Sequence, residues 1–291
     1  MGKGGGSPVA IVIVTRDRCR SLLFSLERLA GLQEGHRVVV VDNGSADDTC
    51  RLVRERHPEI TLIELGRNLG SAARTAGVRA VEEPYVAFSD DDSWWAPGSL
   101  VLAQQALDRH PQLGLVAGRV LVGPAAGEDP TCALMDGSPL AAAPGQPGSA
   151  VLGFLACAAV VRRSAYLAAG GFHPCFGIGG EEKLLALDLA AAGWQLSYLP
   201  DVVAHHHPPS RPDPGRRRRL QVRNGLWCAW LRRPLAGAVG HTISMTRLGV
   251  SDKAVAAGLR DALGGLLWVC RERRPVRREL ERELRLLGDL I

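Results

Sequence analysis

Three consecutive aspartates, Asp90, Asp91 and Asp92, follow the apolar run Tyr85–Phe88. Carboxylates a few ångströms apart repel and raise one another's pKa, so a divalent cation among them is the expected resolution. Asp90 and Asp92 are hard oxygen ligands suited to Mg²⁺ or Mn²⁺, which bind one or two carboxylates and complete their shell with diphosphate oxygens and water. The competing reading is a turn cluster on the surface. If the three charges do crowd one another, neutralising one relieves repulsion and leaves the fold intact. Asp42 ends a second apolar run and could accept from the ring N–H of uracil or guanine, while Arg74 could pair with phosphate. Glu181 and Glu182 open a helical stretch, where the positive helix end should keep both ionised and fit to take a proton from a hydroxyl. Two acids that merely complement the dipole are the plainer alternative. Trp94 and Trp95 offer faces on which a sugar or an apolar acceptor could stack, or they pack in the core. No G-x-x-x-x-G-K-[ST] loop and no G-x-G-x-x-G segment follows the first apolar run, which excludes P-loop and dinucleotide chemistry.

These residues need elements to hold them. Val9–Val14 is apolar and largely β-branched, as a strand buried on both faces should be. Leu22, Leu26 and Leu29 then recur at helical spacing, Arg37–Val41 repeats the strand signal, and Ser45-x-x-Asp48 reads as a capping box opening a helix that runs to about His57. Ile60–Leu65, a helix around Ala72–Val81 and Tyr85–Phe88 complete a β/α series that predicts a parallel, doubly wound α/β sheet. In such sheets ligands bind beyond the carboxyl ends of the strands, where Thr15–Arg18, Asp42–Ser45, Gly66–Gly70 and Ser89–Ser93 all fall. Leu113–Val122 and Val151–Val161 are predicted strands separated by a long Pro/Gly/Ala-rich excursion. A helix over about 180–192 follows, then strands near Gln195–Leu199 and Val202–His206, and a proline segment at 208–215 that closes the core domain. Beyond it, Arg216–Arg233, Lys253–Arg273 and Val276–Leu290 read as helices. Val255, Leu259, Leu263, Leu266 and Cys270 form one apolar stripe; Val276, Leu280, Leu284 and Leu287 form another. The core domain, a second subunit or a membrane surface must cover them, and packing on the core plus a dimer contact is the expectation.

The chain of 291 residues is 46% hydrophobic and 22% charged, which fits one large globular domain or two small ones and excludes disordered and collagen-like classes. The apolar runs near the N-terminus are far shorter than the roughly 18 residues of a bilayer span, and neither sits in a signal-peptide frame, so a cytoplasmic protein is expected. Seven cysteines lie apart without a C-x-x-C pair, suggesting neither zinc cluster nor disulfide framework but small buried residues. Residues 1–204 hold 17 Lys and Arg against 22 Asp and Glu, whereas residues 205–291 hold 18 against 8, so the basic excess is C-terminal. Such a segment suits an anionic membrane surface or a phosphorylated ligand, or is a solvated arginine-rich face.

The succession Val12–Arg18, Val40–Ser45, Asn68-Leu-Gly70, Phe88–Asp92, Gly180-Glu-Glu182 and His205-His-His207 resembles the family 2 glycosyltransferases of the GT-A fold over roughly residues 8–230. The order and spacing of these motifs carry the resemblance. It implies a GT-A domain over 8–230 and a C-terminal helical appendage over 231–291. It further implies a nucleotide diphosphate sugar donor, UDP first among the nucleotides, a hydroxyl-bearing acceptor, a divalent metal and no nucleic acid. Thr15 and Asp17 match the loop that meets base and ribose, Asp42 the acid at the base, and Asn68, Gly70 and Arg74 the elements flanking the nucleotide. Asp90 to Asp92 match the D-x-D element, with Asp92 as metal ligand and Asp90 or Asp91 nearer the ribose. One of His205 and His206 matches a histidine that completes the metal site; neighbours in a strand face opposite ways, so one alone points in. Glu182 inherits the catalytic base with Glu181 as runner-up, although the family usually carries Glu-Asp there and an Arg where this chain has Asp188. Arg223-Asn224 resembles a late family element of undefined role. The rival readings are a nucleotide-sugar-binding protein without turnover and a sugar-phosphate nucleotidyltransferase. A cytoplasmic enzyme peripheral to the inner face of a membrane fits the basic tail.

Overall fold

The computed structural model describes residues 7–208 and 213–288. In chain order the elements are β1 (Val9–Thr15), α1 (Cys19–Ala30), β2 (Arg37–Asp42), α2 (Thr49–Arg56), β3 (Thr61–Glu64), α3 (Arg74–Ala80), β4 (Tyr85–Asp90), β5 (Ser93–Trp95), α4 (Ser99–Arg109) and β6 (Leu113–Val122). There follow β7 (Gly127–Glu128), α5 (Pro130–Asp136), β8 (Ser149–Ala150), β9 (Ala159–Arg162), α6 (Arg163–Ala168), α7 (Glu181–Ala191) and β10 (Gln195–His206). The chain ends in α8 (Pro214–Arg232), α9 (Leu235–Gly249), α10 (Lys253–Leu263), α11 (Leu266–Glu272) and α12 (Arg278–Leu287).

The sheet runs β3-β2-β1-β4-β9-β6-β10-β5, with β7 and β8 added at β6 and β10. β1 lies between β2 and β4, and Val9 to Ile13 are at most 1% exposed, which is why this strand shows no alternation of apolar and polar residues. β9 is antiparallel to both β4 and β6, so β6 and β10 run in the same direction as β1 to β4. Thr15, Asp42, Asp90 and His206, the last residues of β1, β2, β4 and β10, therefore come to one edge.

Several boundaries differ from those predicted. α2 starts at Thr49 because the Ser45 hydroxyl accepts from Asp17 N–H and Asp47 accepts from Thr49 N–H, so no capping box forms at Ser45. Of the strand expected over 151–161, β9 alone is extended in the sheet; residues 156–158 form a short 3₁₀ turn. β10 is one strand, its register slipping between Leu199 and Val203 where Pro200 and Asp201 bulge out. The excursion after Gly123 contains α5, whose Asp129 cap accepts from Thr131 N–H.

The expected helix over 253–273 is broken into α10 and α11 at Gly264-Gly265. The Trp227 indole donates to Ala262 O there, and a Cβ on Gly265 would meet its Nε1 at 2.3 Å. The predicted stripe Val276, Leu280, Leu284 and Leu287 is buried with Trp227, Cys228 and Leu231 of α8 and with Phe176, Leu184 and Leu187, so the chain covers it itself. The other stripe is not fully covered: Val255 is buried, but Leu263 and Leu266 are 63% and 50% exposed because the break turns them outward. The helix α9 was not anticipated, and the predicted continuation of α12 to Leu290 lies outside the described residues. Cys132, Cys157 and Cys228 are buried, whereas Cys175 and Cys270 are exposed.

Gly118 shows how the bulge is accommodated. A Cβ there would lie 2.5 Å from Val202 O, a backbone atom at the bulge that sets the register of β10 and with it the position of His206. Gly118→Ala is expected to lower stability by about 1–3 kcal/mol despite alanine's better strand entropy. Thermal or denaturant unfolding measures this, and a gain in Tm would contradict it.

Candidate functional site

The three aspartates diverge: Asp91 turns away from Asp90 and Asp92, although it shares Arg18 with Asp92. Asp90 faces Arg74, which is 7% exposed at the start of α3 and whose guanidinium donates to it while lying 5.4 Å over Phe172. Asp91 turns the other way, accepts from the Thr15 hydroxyl at 3.0 Å and forms an ion pair with Arg18 Nε at 3.0 Å. Burial pushes Asp91 up to about 7 against the pull of Arg18. Asp92 meets Arg18 at 2.6 Å and His206 Nε2 at 3.2 Å. Burial raises its carboxyl, but His206 and Arg18 together hold it below the ordinary range. The expectation that a neutral residue in this triplet relieves repulsion is thereby corrected for Asp92, whose carboxylate is engaged by Arg18 and His206. Arg18 lies within a recognised motif yet had no role assigned; a cation three residues beyond Thr15 and before a helix was the signal available.

β5 pairs antiparallel with β10, placing His206 opposite Ser93 and His205 opposite Trp94. One side-chain oxygen of Asp90, one of Asp92 and one nitrogen of His206 lie within 4.8 Å of one another. Two hard carboxylates and an imidazole suit Mn²⁺ or Mg²⁺, so the residues fit the expected cation. Asp92 and His206 are in this group. His205 is not: it points to the opposite face and stacks on Trp94 at 5.4 Å, the geometry that strand alternation demands. Asp91 is likewise outside it. Trp94 and Trp95 are 9% and 1% exposed, with Trp94 edge-on to Phe24 and His207, so neither offers a face to an acceptor and both belong to the core.

The neighbouring loops are tied together by their own polar groups. Asp17 adopts a positive φ of 52°, and its carboxylate accepts from Ala46 N–H at 2.7 Å. Asp42 is buried and accepts from the N–H groups of Gly44 and Ser45. Asn43, which sequence reasoning passed over, donates to Gly70 O and accepts from Leu69 N–H, while Asn68 accepts from Gly70 N–H. Gly70 has φ +59°, and a Cβ on it would meet the backbone of Gly177 at 2.7 Å. This close approach joins the loop after β3 to the loop before α7.

The same loop before α7 is held from the other side by Asn224, which is fully buried and donates to Phe176 O, Ile178 O and Gly179 O. That is the structural role of the Arg223-Asn224 pair. Asp188 forms an ion pair with Arg232 of α8 and so ties α7 to the C-terminal helices. Glu181 is 5% exposed and its Oε2 has no hydrogen-bond partner. Burial raises both Glu181 and Glu182, against the expectation that the helix end would keep them low: the desolvation of two neighbouring carboxyls outweighs the dipole. Each carboxyl also feels its neighbour, so the two titrate as a pair. A cleft of about 1020 Å³ contains Thr15, Asn68, Gly70, Arg74, Asp90 to Asp92, His206, Glu181 and Glu182, and extends to Arg217, Arg218 and Gln221 of α8. No described helix is long and apolar enough to cross a membrane.

The sequence profile described as Glycosyl transferase family 2 matches residues 10–166. The chain is 28% identical over 205 residues to the N-acetylglucosaminyl-diphospho-decaprenol L-rhamnosyltransferase of Mycobacterium tuberculosis, covering 58% of this chain and 66% of that one. It is 29% identical over 287 residues to the pre-mycofactocin glycosyltransferase of the same organism, covering 87% of this chain and 58% of that one. The chain thus spans somewhat under two thirds of the length of these relatives. Among solved structures it resembles a mannosyltransferase from Pyrobaculum calidifontis in complex with GDP-Man and Mn²⁺, with a TM-score of 0.61 at 20% identity over 98% of this chain and 88% of that one. It also resembles S. aureus TarS 1–349 in complex with UDP-GlcNAc, with a TM-score of 0.58 at 15% identity over 88% and 71%. At these identities the likeness establishes the fold, which is of the GT-A type.

The buried carboxyl of Glu181, pushed up to about 8, makes a prediction about stability. A carboxyl raised on folding contributes stability that is complete below its unfolded pKa of about 4.3 and is lost as pH rises through the folded value. Tm is therefore expected to fall between about pH 5 and pH 8 by more in the wild type than in Glu181→Gln, which has no proton to lose. Parallel Tm profiles for the two proteins would contradict the assignment.

Proposed function

The chain belongs to glycosyltransferase family 2, and from that membership we propose that it moves a sugar from a nucleoside diphosphate sugar to a hydroxyl group with inversion at the anomeric carbon. The observation that carries this reading is the joining in one cleft of Asp90, Asp92 and His206 with the Glu181–Glu182 pair. UDP is the nucleotide of the proposal, and the GDP-Man complex of the archaeal neighbour makes GDP the first comparison. The reading keeps residues 8–230 as the catalytic unit and 231–291 as a helical appendage packed on it.

In this reading Thr15, Asp17 and Asp42 border the base and ribose, and the loop carrying Asn68 and Gly70 closes the nucleotide's flank. Asp42 uses its remaining lone pairs for the base, since two loop N–H groups already occupy its oxygens. Arg74 neutralises Asp90 and positions it; its burial suits this role better than direct capture of phosphate. Mn²⁺ or Mg²⁺ held by Asp90, Asp92 and His206 would stabilise the negative charge of the leaving diphosphate. Glu182 takes the proton of the acceptor hydroxyl. It is partly exposed to the cleft, whereas Glu181 is buried. Burial raises its carboxyl, with Arg74 pulling it down and Asp90 pushing it up. The acceptor is a hydroxyl compound of open identity: the relatives' names span a diphospho-decaprenol sugar and pre-mycofactocin. Family membership leaves the nucleotidyltransferase reading without support.

Transfer assays on variants test the proposal. Glu182→Gln is expected to lower transfer by ~10²–10⁴ with donor affinity nearly unchanged, and Glu181→Gln to be milder. Because the base is raised, the acidic limb of the wild-type rate profile should lie above the ordinary carboxylate range and vanish in Glu182→Gln. Asp92→Asn should abolish both turnover and Mn²⁺-dependent nucleotide binding, and should also lower Tm, since Arg18 and His206 lose their carboxylate. Full activity in Asp92→Asn overturns the metal assignment. Intact donor binding without nucleotide release in the wild type would instead leave a binding protein.

A further inference from the structure

The helix α9 is almost uncharged: residues 234–251 contain no Asp or Glu and one Arg, Arg247. Its outward side chains are nevertheless in water, with Leu235 63%, Val239 43%, Ile243 47% and, just beyond its end, Val250 89% exposed. Val239, Ile243 and Val250 border a groove of about 330 Å³ whose floor includes Trp230 of α8. The polar groups there are already spent inside the protein. Trp230 Nε1 donates to the Thr242 hydroxyl at 3.0 Å, Thr242 donates to Ala238 O, and Thr246 donates to Thr242 O. The groove thus offers an occupant an apolar wall whose neutral polar groups are already bonded. Among the described residues Arg247 lines it and no carboxylate does, while Arg273, 5.9 Å over the Trp230 ring, donates to Trp230 O and Arg233 O. Arg273 belongs to the stretch 271–278, which carries five arginines against one glutamate.

An apolar surface with a cation at its edge complements acyl chains beneath phosphate headgroups, and a polar protein partner would find no free neutral donor or acceptor in the groove. We propose that α9 and the groove behind it dock on a lipid bilayer bearing anionic phospholipids. The position of the helix gives this a consequence. Val239, Ile243 and Val250 face outward, while His241, Met245 and Leu248 of the same helix line the large cleft. The docked face and the cleft wall are thus opposite faces of one helix, so docking places the cleft one helix diameter, ~10 Å, from the membrane surface. The docking itself stands independently of the sugar-transfer reading.

Co-sedimentation with vesicles of phosphatidylcholine, with and without phosphatidylglycerol, tests the proposal. The full chain is expected to sediment with the anionic vesicles at least about tenfold more strongly than with the neutral ones, and to be released by salt. Val239→Glu with Ile243→Glu should reduce binding by about tenfold or more at unchanged Tm, as should Val250→Asp at the most exposed position. Soluble donor hydrolysis should stay at the wild-type rate in these variants, so a loss of vesicle binding is separable from a loss of catalysis. The proposal is overturned if the wild type stays in the supernatant with anionic vesicles, or if the substituted proteins sediment like it. It is also overturned if light scattering shows a dimer that the same substitutions split while vesicle binding is absent; the groove is then an interface between copies.

Discussion

Three successive carboxylates at the end of a central strand, the last two of them buried, are tolerable only if each meets a donor or cation, and the arrangement around β4 satisfies that constraint. Asp90 is matched by Arg74 from α3, Asp91 by Thr15 and Arg18 from the loop after β1, and Asp92 by Arg18 and His206 from β10. These contacts span much of the sheet edge, from the first strand to the tenth. Removing one partner leaves a buried charge without compensation, which costs far more than the pair itself contributes. The cluster is thus at once a structural clasp and, through the atoms of Asp90, Asp92 and His206, a set of ligands facing the cleft.

The second constraint is the loop before α7. It is pinned by Asn224 from one side and by the glycine-to-glycine approach of Gly70 and Gly177 from the other. Its fixed path delivers Glu181 and Glu182 to the cleft that holds the aspartates. The same close approach links the loop after β3, which borders the nucleotide side of the cleft, to the helix that carries the base. Burying two adjacent carboxyls raises both, so the helix end does not set their ionisation. Their environment does, as low-dielectric sites regularly do for acid and base groups.

The strands and the acidic strand ends were legible because buried parallel strands read as unbroken apolar runs and chemistry falls after them. His205 and His206 could be divided only by register, since either could have pointed inward until the pairing with β5 was known. Trp94 and Trp95 were ambiguous for the same reason: two large aromatics beside a motif look like a platform, but β5 lies in the sheet and its side chains are enclosed. Arg18 was visible as a residue and invisible as a partner, because its contacts with Asp91 and Asp92 are separated from it by more than seventy positions. α9 escaped detection since its composition is apolar nearly all round, with Gly237 and Gly240 interrupting any periodic face. The break between α10 and α11 depends on the Trp227 indole crossing Gly265, a tertiary contact that no local pattern records.

The account rests on Asp90, Asp92 and His206 acting together with a diphosphate on one cation. Calorimetric titration of Mn²⁺ into the protein, alone and with saturating UDP or GDP, measures that coupling directly. If the three residues and the diphosphate share the ion, nucleotide must tighten Mn²⁺ binding by the same factor as Mn²⁺ tightens nucleotide binding, and His206→Ala must weaken both. Equal Mn²⁺ affinity with and without nucleotide, or no effect of His206→Ala, would contradict it.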